Sequence, residues 1–446
     1  QDAIDLGLDL LEKLNERMPR KPNTSDHVKE FLSVSLQLRR HEDMLSLVRI
    51  HDAGKLAVMK ILRLLCQFTF ILQEDNLFPL VCLRSMSLTL QWGISPCAAS
   101  AVASYAVVLG IRQDARSVRF GRLALAIHER YSDTEDEGFL LLLLGRFVCH
   151  WRQSMRTQID MFERAIVSAS DCKQVFVASM TAYYHLEVAF LLGKRLGDLQ
   201  RGAASLSRSL ANQSNEVVKG AALPLLQLLS CLQRTDGNTK SLSGALLDEN
   251  KFSVDCRARG NDIARCNLYY YQIAHAFFFQ NWQKAVNLYD SFQSEHRQLY
   301  KTFKTHFLYP PLLLHVGVAH YALAKSSSLH TKHAKRILRE LSQFTVGLTD
   351  DGRQATASVC VAVLEAEHAV LHRNGVNNEE SCYSLLETAM STCRNNQLLQ
   401  YEAVVAARAS TLLDDQSKVQ LYRARARLLY EQWGYVVESV DHKFEE

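Results

Sequence analysis

The sequence predicts an all-α protein assembled from antiparallel helix hairpins, on three observations. Glycine and proline are scarce, 19 and 7 in 446 residues, where average usage of ~7% and ~5% would give roughly 31 and 22. Turn and strand punctuation is therefore thin, and long helices are favoured. Apolar residues recur at helical spacing along nearly the whole chain, and no alternating stretch is long enough to predict a strand. The third observation is residues 261–296, NDIARCNLYYYQIAHAFFFQNWQKAVNLYDSFQSEH, which read as two helices and a tight corner. Ile263, Cys266, Tyr270, Ile273, Ala274 and Phe277 fall on one stripe of a 3.6-residue helix, and Trp282, Ala285, Val286, Tyr289 and Phe292 on another. Only Gln280 and Asn281 separate the two, so the helices fold back antiparallel and share their stripes. A unit of about 34 residues with small alanines where helices cross and aromatics where they diverge is the pattern of a tetratricopeptide-type (TPR) repeat, which needs stacked neighbours to bury its remaining apolar face. The expected architecture is a right-handed superhelix, an α-solenoid, of TPR-like hairpins.

The rest of the chain supplies the neighbours. Residues 3–15 form an amphipathic helix (Ile4, Leu8, Leu11) stopped by Pro19 and Pro22. Asp26 is placed to cap a helix over 27–40, and 55–73 carries Leu56, Met59, Leu62 and Cys66 in register. A helix over 77–91 stops at Trp92-Gly93. Pro96 opens a hairpin of 97–109 and 116–130, whose Ala98, Ala99, Ala101 and Ala103 let a neighbour approach closely. Helices are expected over 139–152, 158–169, 175–192, 198–210 and 216–233. Residues 235–260 hold Asp236-Gly237 and Ser243-Gly244 and no sustained stripe. Loops beyond ~12–15 residues are unusual inside compact domains, so 235–261 is read as a joint between an N-terminal stack, 1–234, and a C-terminal stack, 262–446. Further helices are expected over 311–324, 331–344, 353–372, 378–394, 397–412 and 416–433, followed by an amphipathic tail over 436–444.

At 446 residues the chain exceeds the ~250–300 at which a single core stops growing, so several domains or an elongated array are required. A composition 48% hydrophobic and 22% charged is that of an ordinary folded protein. A net charge of +4 and a pI near 8.4 are too mild to argue for nucleic acid. The 11 cysteines are scattered with no CxxC pair, the usage of a reducing compartment, and a cytoplasmic location is expected. No apolar run approaches the ~18 residues that would span a bilayer, so no membrane partner is expected. The chain opens inside a helical pattern without a signal-peptide pattern, and is read as a segment of a longer polypeptide.

Little in the sequence points to chemistry. Neither Gly54-Lys55 nor Gly193-Lys194 sits in the glycine loop that cradles a triphosphate, and no Ser/His/Asp or Cys/His order stands out. Glu365, His368 and His372 share a helical face with the i, i+4 histidine spacing of a metal site, but no further ligand is near. No catalytic, cofactor-binding or metal-ligating residue is assigned, and no cofactor is expected. The residues best suited to a partner are Arg112, Arg116, Arg119 and Arg122, three of them on one arc of a helix, which could receive an acidic segment or a phosphate. The plainer reading is a solvated face balanced by the acidic turn 132–137. Arg423, Arg425 and Arg427 receive the same two readings. Tyr270 and Trp282 are the aromatics of the opening hairpin singled out as a contact surface, among a group too numerous for one stripe.

Three stretches, WGISPCAASAVASYAVVLGIRQDARSVRFGRLALAIHERY at 92–131, GRFVCHWRQSMRTQIDMFERA at 145–165 and RARARLLYEQWGYVVESVDHKFEE at 423–446, together with LGLDLLEKLNERMPRKP at 6–22, resemble the helical-repeat middle region of very large signalling proteins. In those proteins a serine/threonine-kinase-like domain and a STAND-type (AAA-like) ATPase precede the repeats, and a GAF domain and often a histidine kinase or other output domain follow. The resemblance spans nearly the whole chain and implies a non-catalytic TPR-like scaffold or sensor region, whose partners are the flanking ATPase and the kinase or GAF domains. The family's catalytic residues lie in those other domains, so none is carried over. The chain departs from the pattern at the corner 113–116, one residue short, and at Trp433-Gly434-Tyr435. The alternative expectation is a self-standing TPR-type adaptor that binds a peptide or protein.

Overall fold

In a computed structural model, residues 2–40, 43–72, 74, 76–112, 114–131, 136–149, 155–211, 216–233, 241–304, 306–345, 355–372 and 379–435 are described. Among them the secondary structure is helical throughout, apart from one isolated parallel bridge between Arg49 and Ile94. Two compact units are present, one of Gln1–Trp151 with Asp160–Thr181, the other of Arg152–Ile159 with Ala182–Glu446.

The first unit holds α1 (Asp2–Lys13), α2 (Thr24–Leu38), a 3-10 turn (Met44–Ser46), α3 (Ala53–Ile71), α4 (Leu77–Trp92), α5 (Ala98–Ile111), α6 (Arg116–Tyr131) and α7 (Glu137–Leu143), which runs on as a π-helical turn over Leu144–Val148. Two helices, α8 (Met155–Asp171) and α9 (Val175–Leu191), are divided between the units. The helix α2 begins three residues earlier than expected, and its cap is Asn23. The Asn23 side chain accepts from the Ser25 and Asp26 amides, while the Asp26 carboxylate accepts from the Asn23 amide at 2.9 Å, a capping box. Asp26 thus closes the box from inside the helix. Gly93 ends α4 with φ +108, and a Cβ there would stand 2.1 Å from the Val48 carbonyl. Only glycine permits the Ile94 amide to donate to that carbonyl at 2.8 Å, forming the bridge. At the centre α5 is buried from Ala98 to Gly110, and α3, α4, α6 and α7 pack around it. Its alanines and serines allow the close approach expected of them.

The second unit continues with α10 (Leu196–Ala211), α11 (Glu216–Leu232), α12 (Glu249–Ala258), α13 (Asp262–Phe278), α14 (Trp282–Ser294), α15 (Arg297–Phe303), α16 (Tyr309–Ala322), α17 (Ser328–Ser342), α18 (Ala355–Leu371), α19 (Glu379–Asn395), α20 (Leu399–Leu412) and α21 (Gln416–Trp433). The corner between α13 and α14 is as tight as expected. Gln280 takes φ +56, the Asn281 amide donates to Ala276 O at 2.7 Å, and the Asn281 side chain caps α14. Helices alternate in character along this unit. The residues Tyr309–Tyr321 of α16 are all buried, whereas α17 buries only Ala334, Ile337 and Leu341. In the same way α20 is buried on nearly every face and α21 on one stripe, Val419, Tyr422, Ala426, Leu429, Tyr430 and Trp433.

The division of the chain differs from the expected joint at 235–261. Residues 234–240 lie outside the described residues, but Glu249–Ala258 is a capped helix whose Glu249 accepts from Gln272 on α13 at 3.0 Å. Across the interval α11 packs directly on α13, where the Asn267 side chain donates to Ala221 O at 3.0 Å. With only Cys256 buried, α12 has no apolar stripe for periodicity to find. The expected tail over 436–444 also lies outside the described residues.

A second feature has no counterpart in the expected linear stack, in which each repeat touches only its neighbours. Within the second unit α20 and α21 meet the segment 182–197. Gln400 Nε2 donates to Leu191 O at 2.8 Å, and the Trp433 indole N–H donates to Lys194 O at 3.2 Å. Trp433 lies against Phe278 and Phe190, with ring centroids 5.2 and 6.3 Å away. Gly193, at φ +66, makes room for this, since a Cβ would fall 2.1 Å from Gln400 Oε1 and 2.9 Å from the Leu399 amide. These contacts join residues that a stack touching only its neighbours would keep apart.

Candidate functional site

The arginine arc starts at the end of α5 and runs along α6. All four guanidinium side chains belong to exposed residues, but they are not equivalent. Arg112 lies over the Phe31 ring at 4.7 Å. Arg116 is tied back to Asp114 by contacts of 2.7 to 3.1 Å, and that hydrogen bonding lowers the Asp114 carboxyl pKa and raises that of Arg116. Arg119 and Arg122 make no ion pair among the described residues. Of the acidic turn only Asp136 and Glu137 are described, and each pairs with a basic residue outside the arc. Residues 132–135 of the turn and the corner residue 113 lie outside the described residues, Asp136 pairs with Arg63 at 2.5 Å, and Glu137 takes Arg164 at 2.6 Å.

Tyr270 does not belong to a contact surface. It is fully buried between Tyr271, Phe303 and His315, so no partner reaches it in the folded chain. The reason is that α13 carries two apolar stripes. Ala264, Leu268, Tyr271 and Phe278 are buried along one stripe and Tyr270, Ile273 and Phe277 along another. Tyr269, half-buried, stacks on Phe292 at 4.7 Å. Trp282 is half-buried at the start of α14, edge-on to Phe277 at 6.1 Å, with the Arg408 guanidinium 5.6 Å above its ring.

Arg408 leads to charged groups that the sequence reading missed. It binds Glu367 in a bidentate pair of 2.7 and 2.8 Å, with both side chains close to fully buried. Burial works to lower the Arg408 pKa, but the Glu367 charge and hydrogen bonds outweigh it and hold the guanidinium charged. Trp282, Arg408 and Glu367 thereby connect α14, α20 and α18. Nearby, Glu402 accepts from Arg394 at 2.6 Å and Arg425 at 3.2 Å, and Arg425 also reaches Glu387 at 3.1 Å. Arg425 is thus engaged within the fold. A third carboxylate, Glu187, accepts from the hydroxyls of Tyr183 at 2.6 Å and Tyr271 at 2.7 Å, and Asn267 donates to the Tyr183 oxygen at 2.9 Å. Burial first, then the Glu187 charge, raises the Tyr271 hydroxyl far above its ordinary pKa, so it serves as a fixed donor. A lone Glu or Arg inside an apolar helical run, as in YYHLEVAFLL or VVAARAS, was the available signal for these pairs.

These acids are engaged by arginines or tyrosines inside the helix packing, an arrangement that fixes helix register. Glu365 is exposed, while Glu367, two residues on, turns inward to Arg408. His368 and His372 lie with ring centroids 4.4 Å apart, their pKa values lowered by burial and then by neighbouring positive charge. Among the described residues no group of three His, Cys, Asp or Glu is placed to hold a metal ion, and no described helix is long and apolar enough to cross a membrane. No family model matches the chain, and no curated protein matches it.

Proposed function

We propose that this chain is a non-catalytic scaffold and sensor region, built as a TPR-like superhelical array, that regulates a multidomain ATPase–protein kinase in cytoplasmic signalling. The observation that carries this over the adaptor reading is the burial of α16 and α20. In the second unit Tyr309–Tyr321 of α16 and most of α20 are buried, and so is Trp433. A peptide-binding adaptor of this class needs an accessible concave row. A covered interior held by buried ion pairs suits a stiff element that reports strain to flanking domains. Contacts to those domains fall on the outer helices, and Arg119 and Arg122 on α6 are cations available for an acidic partner surface.

The coding sequence on either side of the chain tests the reading. A P-loop upstream and a GAF or kinase region downstream agree with it, while a start codon just before Gln1 and a stop codon just after Glu446 favour the adaptor. With the flanking domains present, Arg119→Glu/Arg122→Glu is expected to alter kinase output without lowering the stability of the segment. ATP turnover by residues 1–446 alone, abolished by a substitution within them, would overturn the non-catalytic assignment.

A further inference from the structure

In the first unit a small cavity, with room for about one water molecule, lies between α3, α4 and α5, lined among others by Arg63, Cys66, Ser85, Cys97, Ser100 and Ser104. Arg63 and Cys66 are one turn apart on α3, which brings the guanidinium and the sulfur to the same face. Cys66 Sγ stands 3.2 Å from Ser104 Oγ and 3.6 Å from the sulfur of Cys82 on α4. Cys82 is fully buried behind Cys66 and does not line the cavity. Cys66 is thus presented to a small space that Cys97 also lines, with the Arg63 guanidinium and serine hydroxyls beside it, and Cys82 lies in contact behind it.

From this geometry we propose that Cys66 and Cys82 form a peroxide-reactive pair, Cys66 the attacking sulfur and Cys82 the resolving one, closing to a disulfide that clamps α3 to α4. The ionisation of the two thiols is consistent with those roles. The hydrogen bond from Cys82 lowers the Cys66 pKa, with help from Ser104 and the Arg63 charge, against the opposing effects of burial and of the Asp136 carboxylate that pairs with Arg63. Burial raises Cys82 well above the ordinary thiol value, and it pushes Cys149 and Cys266 up to about 12.

In the first step the Cys66 thiolate gives an electron pair to one oxygen of a hydroperoxide. The S–O bond forms, the O–O bond breaks, and hydroxide or alkoxide leaves, so sulfur is oxidised to the sulfenic acid as the peroxide is reduced. In the second, the Cys82 sulfur attacks Cys66, the S–S bond forms, the S–OH bond breaks, and the departing hydroxide takes the Cys82 proton as water. The sulfurs must close from 3.6 Å to ~2.05 Å. A cellular dithiol restores the pair by thiol–disulfide exchange.

The test uses the intact, fully reduced chain, treated with hydrogen peroxide and quenched at intervals with iodoacetamide. Cleavage after Arg63 and Arg84 places both cysteines in one tryptic peptide, so the disulfide is read as that peptide two hydrogens lighter and unalkylated. Cys66 is expected to be consumed on the order of tenfold faster than Cys149. In Cys82→Ser the reaction should stop at a sulfenic acid on Cys66 that dimedone captures, and Cys66→Ser should abolish both products. Arg63→Gln should move the pH of half-maximal rate upward, and Arg63→Lys should restore it, a response that a purely structural arginine would not give. The proposal falls if Cys66 stays alkylatable while other cysteines oxidise, if its partner is Cys97, or if peroxide leaves the peptide unchanged. The wild-type time course decides this even if a variant does not fold, and it is independent of the scaffold reading.

Discussion

Trp433 tests whether the second unit is a closed structure or a row of hairpins coupled only to their neighbours. Its side chain is fully buried, touches Phe278 and Phe190, and donates to Lys194 O, 239 residues away in sequence. Trp433→Ala should remove about 3–5 kcal/mol through lost burial and the cavity left behind, and about 1 kcal/mol more for the Lys194 carbonyl deprived of its donor. At roughly 2 °C per kcal/mol for a unit of this size, the melting temperature should fall by about 10 °C. Hydrogen exchange locates the effect. In a closed unit the amides of 182–197 and α13 should exchange faster along with those of α20 and α21. Trp433→Phe, which keeps most of the ring but loses the N–H, should cost about 1–2 kcal/mol. A loss confined to α20 and α21, with 182–197 unchanged, would show that these distant contacts carry no stability and would refute closure.

The buried Glu367–Arg408 pair predicts that Glu367→Gln destabilises by about 3–5 kcal/mol in urea unfolding, because it strands a buried cation, while Glu367→Met/Arg408→Met recovers most of the loss. Tyr270→Phe should hold or raise stability by about 1 kcal/mol, since it removes a buried hydroxyl that has no hydrogen-bond partner among the described residues. A clear loss in the same assay would mean that the hydroxyl is used. Burial lowers the His315 pKa to about 3 from an ordinary 6.5, so the folded state binds fewer protons than the unfolded state between those values. The stabilisation is complete above pH 6.5 and declines as pH falls towards 3, by roughly 1.4 kcal/mol per pH unit. Urea midpoints from pH 7 to 4.5 should fall accordingly, with a shallower slope in His315→Gln, and identical slopes would contradict the assignment.

Much of the secondary structure was legible in the sequence, and the candidate surface only in part. The α13–α14 hairpin and its corner were readable because apolar spacing at i, i+3 and i+4 is written locally and only two residues separate the two stripes. The same holds for α21, whose stripe of Val419, Tyr422, Ala426, Leu429 and Trp433 is the buried one. Asp26 was misassigned as the cap because either it or Asn23 could start that helix, and only the backbone geometry separates N-cap from N3. Of the six residues singled out for a partner, Tyr270 proved buried, since periodicity identifies a helix without showing how many of its faces are covered.

The sequence by itself determined that the chain is helical and which residues share a helix face, because those properties depend on spacings of three and four residues. Only the tertiary structure decided that Gln400 and Trp433 meet residues 191 and 194, that Arg408 neutralises Glu367 beneath Trp282, and that Cys66 and Cys82 touch beside a cavity. Such contacts depend on small rotations between successive helix pairs that add up along the chain. No local spacing records that sum, so which distant side chains finally meet is settled by the packing of the whole unit.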